Sequence, residues 1–181
     1  MKGIYIAYTI LNGGETTSLI DVILTRRSIR KYEDREIPGE VMNKILEAGR
    51  QAPSAMNRQP WHFIVVTDSE IKERLSRGRW NRFIREAPVT LVGCAYIGDP
   101  YARKWSAIDT TIAMENMVIA AWAMGVGSCW IGDFREDEVK GLLGIPDDWR
   151  VVALLTFGYP AEKPRARWRK PLEEIVSYNR F

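Results

Sequence analysis

The chain has 181 residues, 46% apolar and 27% charged, with a formal net charge of +3. That length suits one domain with a sizeable core, and the composition excludes a disordered or low-complexity chain. So small a net charge makes no general case for nucleic-acid binding, although Lys163 to Lys170 holds five basic residues and no acidic one.

Residues 1–17 read as an N-terminal extension to a domain at 18–181. Tyr5, Tyr8 and Thr9 interrupt the apolar residues, and the stretch is too short to span a membrane. Thr17 or Ser18 caps a first helix, with Asp21 in the capping-box position, and the helix runs to about Arg26. Pro38-Gly39-Glu40 opens a second helix, whose Val41, Ile45, Leu46 and Ala48 keep helical spacing. Pro53 to Pro60 is a loop between two prolines. A strand over 62–66 follows, then a short helix capped by Asp68 and ending at Leu75, then a further helical turn within 77–86. The second strand, 89–95, is apolar on both faces, as a central strand covered on both sides requires.

Residues 96–104 read as a loop. The longest helix, Ser106 to Met124, is apolar on nearly every side, which places it centrally or at a subunit interface. Gly125 ends it. A third strand (126–131), a helix (134–143) and a fourth strand (151–157) complete the domain. From Pro160 onward the tail has too little local structure to order itself alone, so it is expected to lie across another surface, such as a second subunit. The fold class is α+β, with a mixed, mostly antiparallel central sheet sandwiched by helices.

The chemistry-bearing residues are few. Cys94 and Cys129 lie in apolar runs with no C-x-x-C or Cys/His cluster, which fits buried thiols in a reducing, cytoplasmic setting and no metal site. There is no Ser/His/Asp set, and the single histidine, His62, opens a strand between Trp61 and Phe63 and reads as structural. Asp109 reads as a first-turn partner of a helix dipole. Glu115 and Asn116 read as candidates for pairing across a subunit interface. Trp80, Tyr101 and Trp105 lie in weakly patterned segments suited to a lid with aromatic walls. Gly125-Val126-Gly127 follows a helix and precedes a strand, the wrong order for cradling a phosphate.

Two basic segments stand out: Arg26-Arg27-Ser28-Ile29-Arg30, and Arg165-Ala166-Arg167-Trp168-Arg169-Lys170-Pro171. Each alone has an ordinary explanation, as cations at a helix C-terminus or as a solvated tail. Together, as folded clusters, they repel unless an anion lies between them, and guanidinium forks match phosphate oxygens in geometry and charge.

Four motifs in order complete the picture: Arg26 to Tyr32, Pro53-Ser54-Ala55-Met56-Asn57-Arg58-Gln59-Pro60-Trp61, Gly127 to Gly132, and Arg167 to Leu172. With these the chain resembles the FMN-dependent nitroreductase family over about 18–178. The resemblance implies a homodimer with two FMN sites at the subunit interface and a C-terminal tail crossing to the partner. It implies that Arg26, Arg27, Ser28 and Arg30 hold the FMN phosphate and ribityl chain. Pro53, Ser54, Ala55 and Asn57 approach the flavin from the other subunit, and Arg167 and Arg169 complete the phosphate site. Trp130, Ile131, Gly132 and Asp133 pass the flavin edge, with a backbone N–H near N5. The family often has Pro-x-Glu-Gly there, whereas this chain has Trp-Ile-Gly-Asp, which leaves the N5 donor unassigned. Asn81 matches the family's ribityl- and pyrimidine-contacting asparagine.

The residues themselves agree with this. Three or four arginines match a phosphate, Gly132 permits close backbone approach to a flat ligand, and Ser54 and Asn57 supply short polar contacts. FMN carries the redox chemistry, so no catalytic side-chain set is needed. The implied activity is electron transfer from NAD(P)H, as co-substrate, to a nitroaromatic, quinone or similar small acceptor in a ping-pong flavin cycle. The alternatives are other flavin chemistry on the same fold (a dehalogenase, dehydrogenase or enoyl-type reductase) and a basic nucleic-acid-binding module.

Overall fold

The computed structural model describes residues 18–181, so the extension expected over 1–17 lies outside the described residues. Helix α1 spans Leu19–Thr25. Ser18 Oγ accepts from the Asp21 N–H at 3.1 Å, and the Asp21 carboxylate accepts from the Ser18 N–H at 3.1 Å, the reciprocal capping box read from the sequence. α2 spans Gly39–Arg50, directly after Pro38. β1 spans Trp61–Val66, and α3 spans Ser69–Leu75 with Asp68 as its cap. A single 3₁₀ turn, Arg82–Ile84, precedes β2 at Val89–Tyr96.

The main departure comes next. Helix α4 spans Pro100–Ala123, so it starts well inside the stretch read as a loop. Asp99 accepts from the Ala102 N–H at 2.8 Å, and Pro100 sits in the first turn, where its missing N–H costs nothing. The cap-plus-proline signal was present, but Tyr101 to Lys104 carries no apolar periodicity to extend it. Gly125 ends the helix with φ +76°, a conformation that favours glycine. β3 (Gly127–Ile131), α5 (Glu136–Leu143) and β4 (Trp149–Gly158) follow.

The sheet order is β1-β2-β4-β3, with every neighbouring pair antiparallel. Its parallel component is one isolated bridge, Ser28 to Ser128, that lays the segment after α1 beside β3. β2 and β4 are central, which accounts for burial on consecutive positions such as Leu154 and Leu155. On one face Leu91, Leu155 and Phe157 pack against Ile45 of α2 and Met114 and Met117 of α4. On the other, Val92, Cys94 and Leu154 pack against Leu75 of α3 and Val139 of α5. A Cβ on Gly49 would overlap the Met117 side chain, so α2 and α4 touch closely there.

Within this chain α4 is not covered all round. Ile108 and Ile112 are exposed, as are Leu19, Ile20, Ile23 and Leu24 on α1, which packs against α4. Exposed apolar side chains on two packed helices suit a surface that associates with something else. Among the described residues no helix is long and apolar enough to cross a membrane.

Candidate functional site

The segment after α1 is stitched into the sheet. The Ile29 N–H donates to the Ser128 carbonyl at 2.9 Å, and the Glu33 N–H donates to the Tyr159 carbonyl at 2.9 Å. Tyr32 is the hub. Its hydroxyl donates to the Ile29 carbonyl at 2.6 Å and lies 2.7 Å from Thr156 Oγ1. A phenol has one proton, so the Thr156 hydroxyl donates to Tyr32. Glu162 closes the other side, accepting from the Arg30 N–H at 2.6 Å and the Lys31 N–H at 3.1 Å.

This lattice fixes where the arginines start. Arg30 lies over the Phe83 ring at 5.9 Å, which brings the turn after Asn81 against it. Arg27 folds back, its guanidinium donating to the carbonyls of Leu24 at 2.9 Å and Arg26 at 2.8 Å. In that position it caps α1. Among the described residues Arg26, Arg27 and Arg30 join none of the ion pairs. None of the three guanidinium groups has a carboxylate among the described residues within ion-pair distance, although the Glu162 carboxylate lies against the Arg30 backbone, and cations left unpaired in this way suit an anion site.

Beyond β3, Asn81 is buried and its amide donates to the Asp133 carbonyl. This ties the Asn81 turn to Gly132 and Asp133. A Cβ on Gly132 would meet nothing within 4 Å, so the backbone there faces open space. A Cβ on Gly78 would lie 2.5 Å from the Asn81 amide nitrogen and 3.2 Å from the Asp133 oxygen, so only glycine leaves room for this pairing. Ile131 points into the core, whereas Trp130 is partly buried against the other face and donates from Nε1 to Glu115 at 2.9 Å. Ser28, Arg30, Asn81 and Trp130 to Asp133 are thus brought into one region of the fold. Burial pushes the neighbouring Cys129 thiol up, against the opposing influence of Arg30, Ser28 and Arg26, so it is protonated at neutral pH.

The Pro53–Asn57 loop lies elsewhere. Ser54 Oγ accepts from the Gln59 N–H at 2.9 Å, and the Ala55 N–H donates to buried Asp109 at 3.1 Å. Met56, Asn57 and Gln59 all have φ between 50° and 55°, left-handed values that are costly for non-glycine residues and cluster at functional sites. α1 ends at the opposite part of α4, where Trp122 Nε1 donates to Thr25 Oγ1 at 3.2 Å. From Asp109 to Trp122 is about 20 Å of helix axis at 1.5 Å per residue. A single chain therefore holds the arginine segment and this loop far apart. Arg167 and Arg169 are exposed, on a tail that leaves the domain at Glu162, beside Arg30.

Two readings need correction, on Asp109 and on the loop placement of Tyr101 and Trp105. Asp109 is the tenth residue of α4, outside its first turn, and its role is to hold the Ala55 loop. Glu115 and Asn116 each make a hydrogen bond within the chain, with Trp130 Nε1 and with the Ala48 carbonyl at 3.3 Å, and this leaves their reading as interface candidates standing as it was. Tyr101 and Trp105 stand on α4 and not in a loop. Tyr32, Gly78 and Glu162 were missed. Each acts through residues distant in sequence, and no local spacing marks them.

A profile described as Nitroreductase family matches residues 23–78 and 76–159. The chain belongs to the nitroreductase family. A relative from Methanothermobacter thermautotrophicus, provisionally named NADH dehydrogenase/NAD(P)H nitroreductase, is 38% identical over 154 residues, covering 82% of this chain and 81% of that one. NADPH-flavin oxidoreductase of Vibrio harveyi is 30% identical over 177 residues, covering 90% of this chain and 74% of its own. The solved Vibrio harveyi NADPH:FMN oxidoreductase complexed with NAD⁺ superposes with a TM-score of 0.86 at 28% identity, over 90% of this chain and 77% of that one. Membership in the nitroreductase family and these relatives make the chain an NAD(P)H oxidoreductase of α+β fold. The clustered residues described above all lie on the elements that the nitroreductase profile covers, except Glu162 and the tail arginines.

Proposed function

We propose that this chain is an FMN-dependent NAD(P)H oxidoreductase, working as a cytoplasmic homodimer and passing electrons to a nitroaromatic, quinone or similar small acceptor by a ping-pong cycle. Its domain runs over 18–181, preceded by a separate extension. The observation that carries the reading is the nearness of arginines outside any ion pair to an open glycine backbone, linked by Arg30 over Phe83 and by Asn81 on Asp133.

The residues fit the cofactor. Arg26 and Arg30 supply cationic donors for its phosphate, and Ser28 a backbone position fixed against Ser128. Asn81 has its amide engaged with Asp133, which leaves its carbonyl oxygen to accept from the ribityl or pyrimidine part. Gly132 admits a flat ring to the backbone. Bound FMN supplies two-electron redox chemistry between NAD(P)H and the acceptor. The Pro53–Asn57 loop, about 20 Å away along α4, serves the site of a second copy. The exposed apolar residues of α1 and α4 suit the surface that brings the copies together. The tail, rooted at Glu162, brings Arg167 and Arg169 toward the phosphate as it crosses to the partner.

The test is anaerobic mixing of FMN-loaded protein with NADH and with NADPH while flavin absorbance is followed. Bleaching by either, and recovery when a nitroaromatic or quinone is added, is expected. No bleaching with either nucleotide rules out the reading.

A further inference from the structure

A cavity lies away from the arginine cluster, between the first turns of α4 and the opening of β4. It holds about 240 Å³, room for one ring with a short side chain. Four aromatic residues line it: Tyr96, Tyr101, Trp105 and Trp149. Two polar side chains also face it, and both are buried, Ser106 at 1% and Asp109 at 5% exposure.

Neither polar group is fully used. The Ser106 hydroxyl has no hydrogen-bond partner. Asp109 accepts from the Ala55 N–H through Oδ1, while Oδ2 has no hydrogen bond and the carboxylate no ion pair among the described residues. A buried hydroxyl without a partner is costly, which applies to Ser106, while Asp109 Oδ2 is open to the cavity and free to accept a hydrogen bond. The lone cation of the lining, Arg58, is paired with Asp99 at 3.0 Å and lies over the Tyr101 ring at 4.9 Å. The chain itself thus places a cation on one aromatic wall, where ring faces attract positive charge.

We infer that this pocket binds a small protonated aromatic amine. Its ring stacks among Tyr101, Trp105 and Trp149, its ammonium donates to Asp109 Oδ2, and Ser106 Oγ accepts a second N–H. None of these residues belongs to the arginine cluster, but Asp109 also holds the Ala55 loop that the flavin reading gives to the site of a second copy, so the binding test is run with and without FMN. Asp109 would then connect the ligand to the strained Ala55 loop.

Phenethylamine is titrated into the FMN-loaded protein and into the protein without FMN, with binding followed by calorimetry and tryptophan fluorescence. Saturable one-to-one binding is expected in both, with 3-phenylpropionate at least tenfold weaker. Asp109→Asn is expected to weaken binding tenfold or more. Trp105→Leu, at a partly exposed position that the loop does not need, is expected to weaken it several-fold with thermal stability retained. Absence of saturable binding, equal affinity for the carboxylate, or unchanged affinity in Trp105→Leu would overturn the inference. Displacement of the amine by FMN would overturn it too, by assigning the pocket to the cofactor.

Discussion

Replacing Tyr32 by phenylalanine tests whether the arginine segment is held by the sheet. The hydroxyl donates to Ile29 at 2.6 Å and accepts from Thr156 at 2.7 Å, and both partners are essentially inaccessible to water. Tyr32→Phe keeps the ring and leaves a carbonyl and a hydroxyl unsatisfied. Each such buried group costs about 1–3 kcal/mol, and some relaxation brings the expected total to roughly 2–3 kcal/mol. For a domain of this size that corresponds to a fall in Tm of roughly 5–10 °C. The second consequence is functional, because Ile29 lies between Ser28 and Arg30. Losing its register loosens the proposed phosphate grip, and FMN affinity should fall about tenfold. Thermal unfolding by circular dichroism and an FMN titration by fluorescence quenching read the two effects. A Tm within 1 °C of the parent would refute the reasoning, for it would show that the hydroxyl bears no load.

Further tests separate site from scaffold. Gly132→Ala adds a methyl that meets nothing, so Tm should stay within about 1 °C while FMN affinity falls tenfold or more; unchanged affinity would mean that no ligand approaches that backbone. Gly78→Ala drives a methyl against Asn81 and should cost about 1–3 kcal/mol in urea unfolding, together with weaker FMN binding. Glu162→Ala removes the acceptor of two backbone N–H groups and should weaken FMN binding with a smaller loss of Tm than Tyr32→Phe, since this carboxylate is only partly buried. Burial pushes the Cys94 thiol from its ordinary 9.0 to about 11. Below pH 9 both folded and unfolded thiols are protonated and its contribution is intact. As pH rises from 9 toward 11 the unfolded chain releases the proton first, so stability falls across that window, and Cys94→Ala should flatten the slope in unfolding titrations. Burial raises Tyr32 in the same direction, extending the loss above pH 10.

Much of this was legible because it is local. Ser18 with Asp21, Asp68 before α3, and Pro38 before α2 announce their helices within four residues. The doubly apolar run at 89–95 announced a central strand, and β2 is one. Where the signal was weaker than its surroundings, the boundary slipped: Asp99 and Pro100 start α4, yet the polar residues after them hid the turn. In the candidate site, Ser28, Arg30, Asn81 and Gly132 were recoverable from motifs, and the fold gathers them. Tyr32, Gly78 and Glu162 were not, because what they do depends on Thr156, Asp133 and the Arg30 backbone, contacts that exist only once the chain has folded. Arg27 reads like its neighbours in sequence, and only its turn back to Leu24 sets it apart.

The most direct test of the central claim is a titration of FMN against the purified chain and against Arg30→Ala, with stoichiometry and oligomeric mass measured on the same samples. Saturation at one FMN per chain in a dimer, lost or weakened at least tenfold in Arg30→Ala, is the predicted result. A chain that takes up no FMN, or binds it equally well without Arg30, would contradict the account.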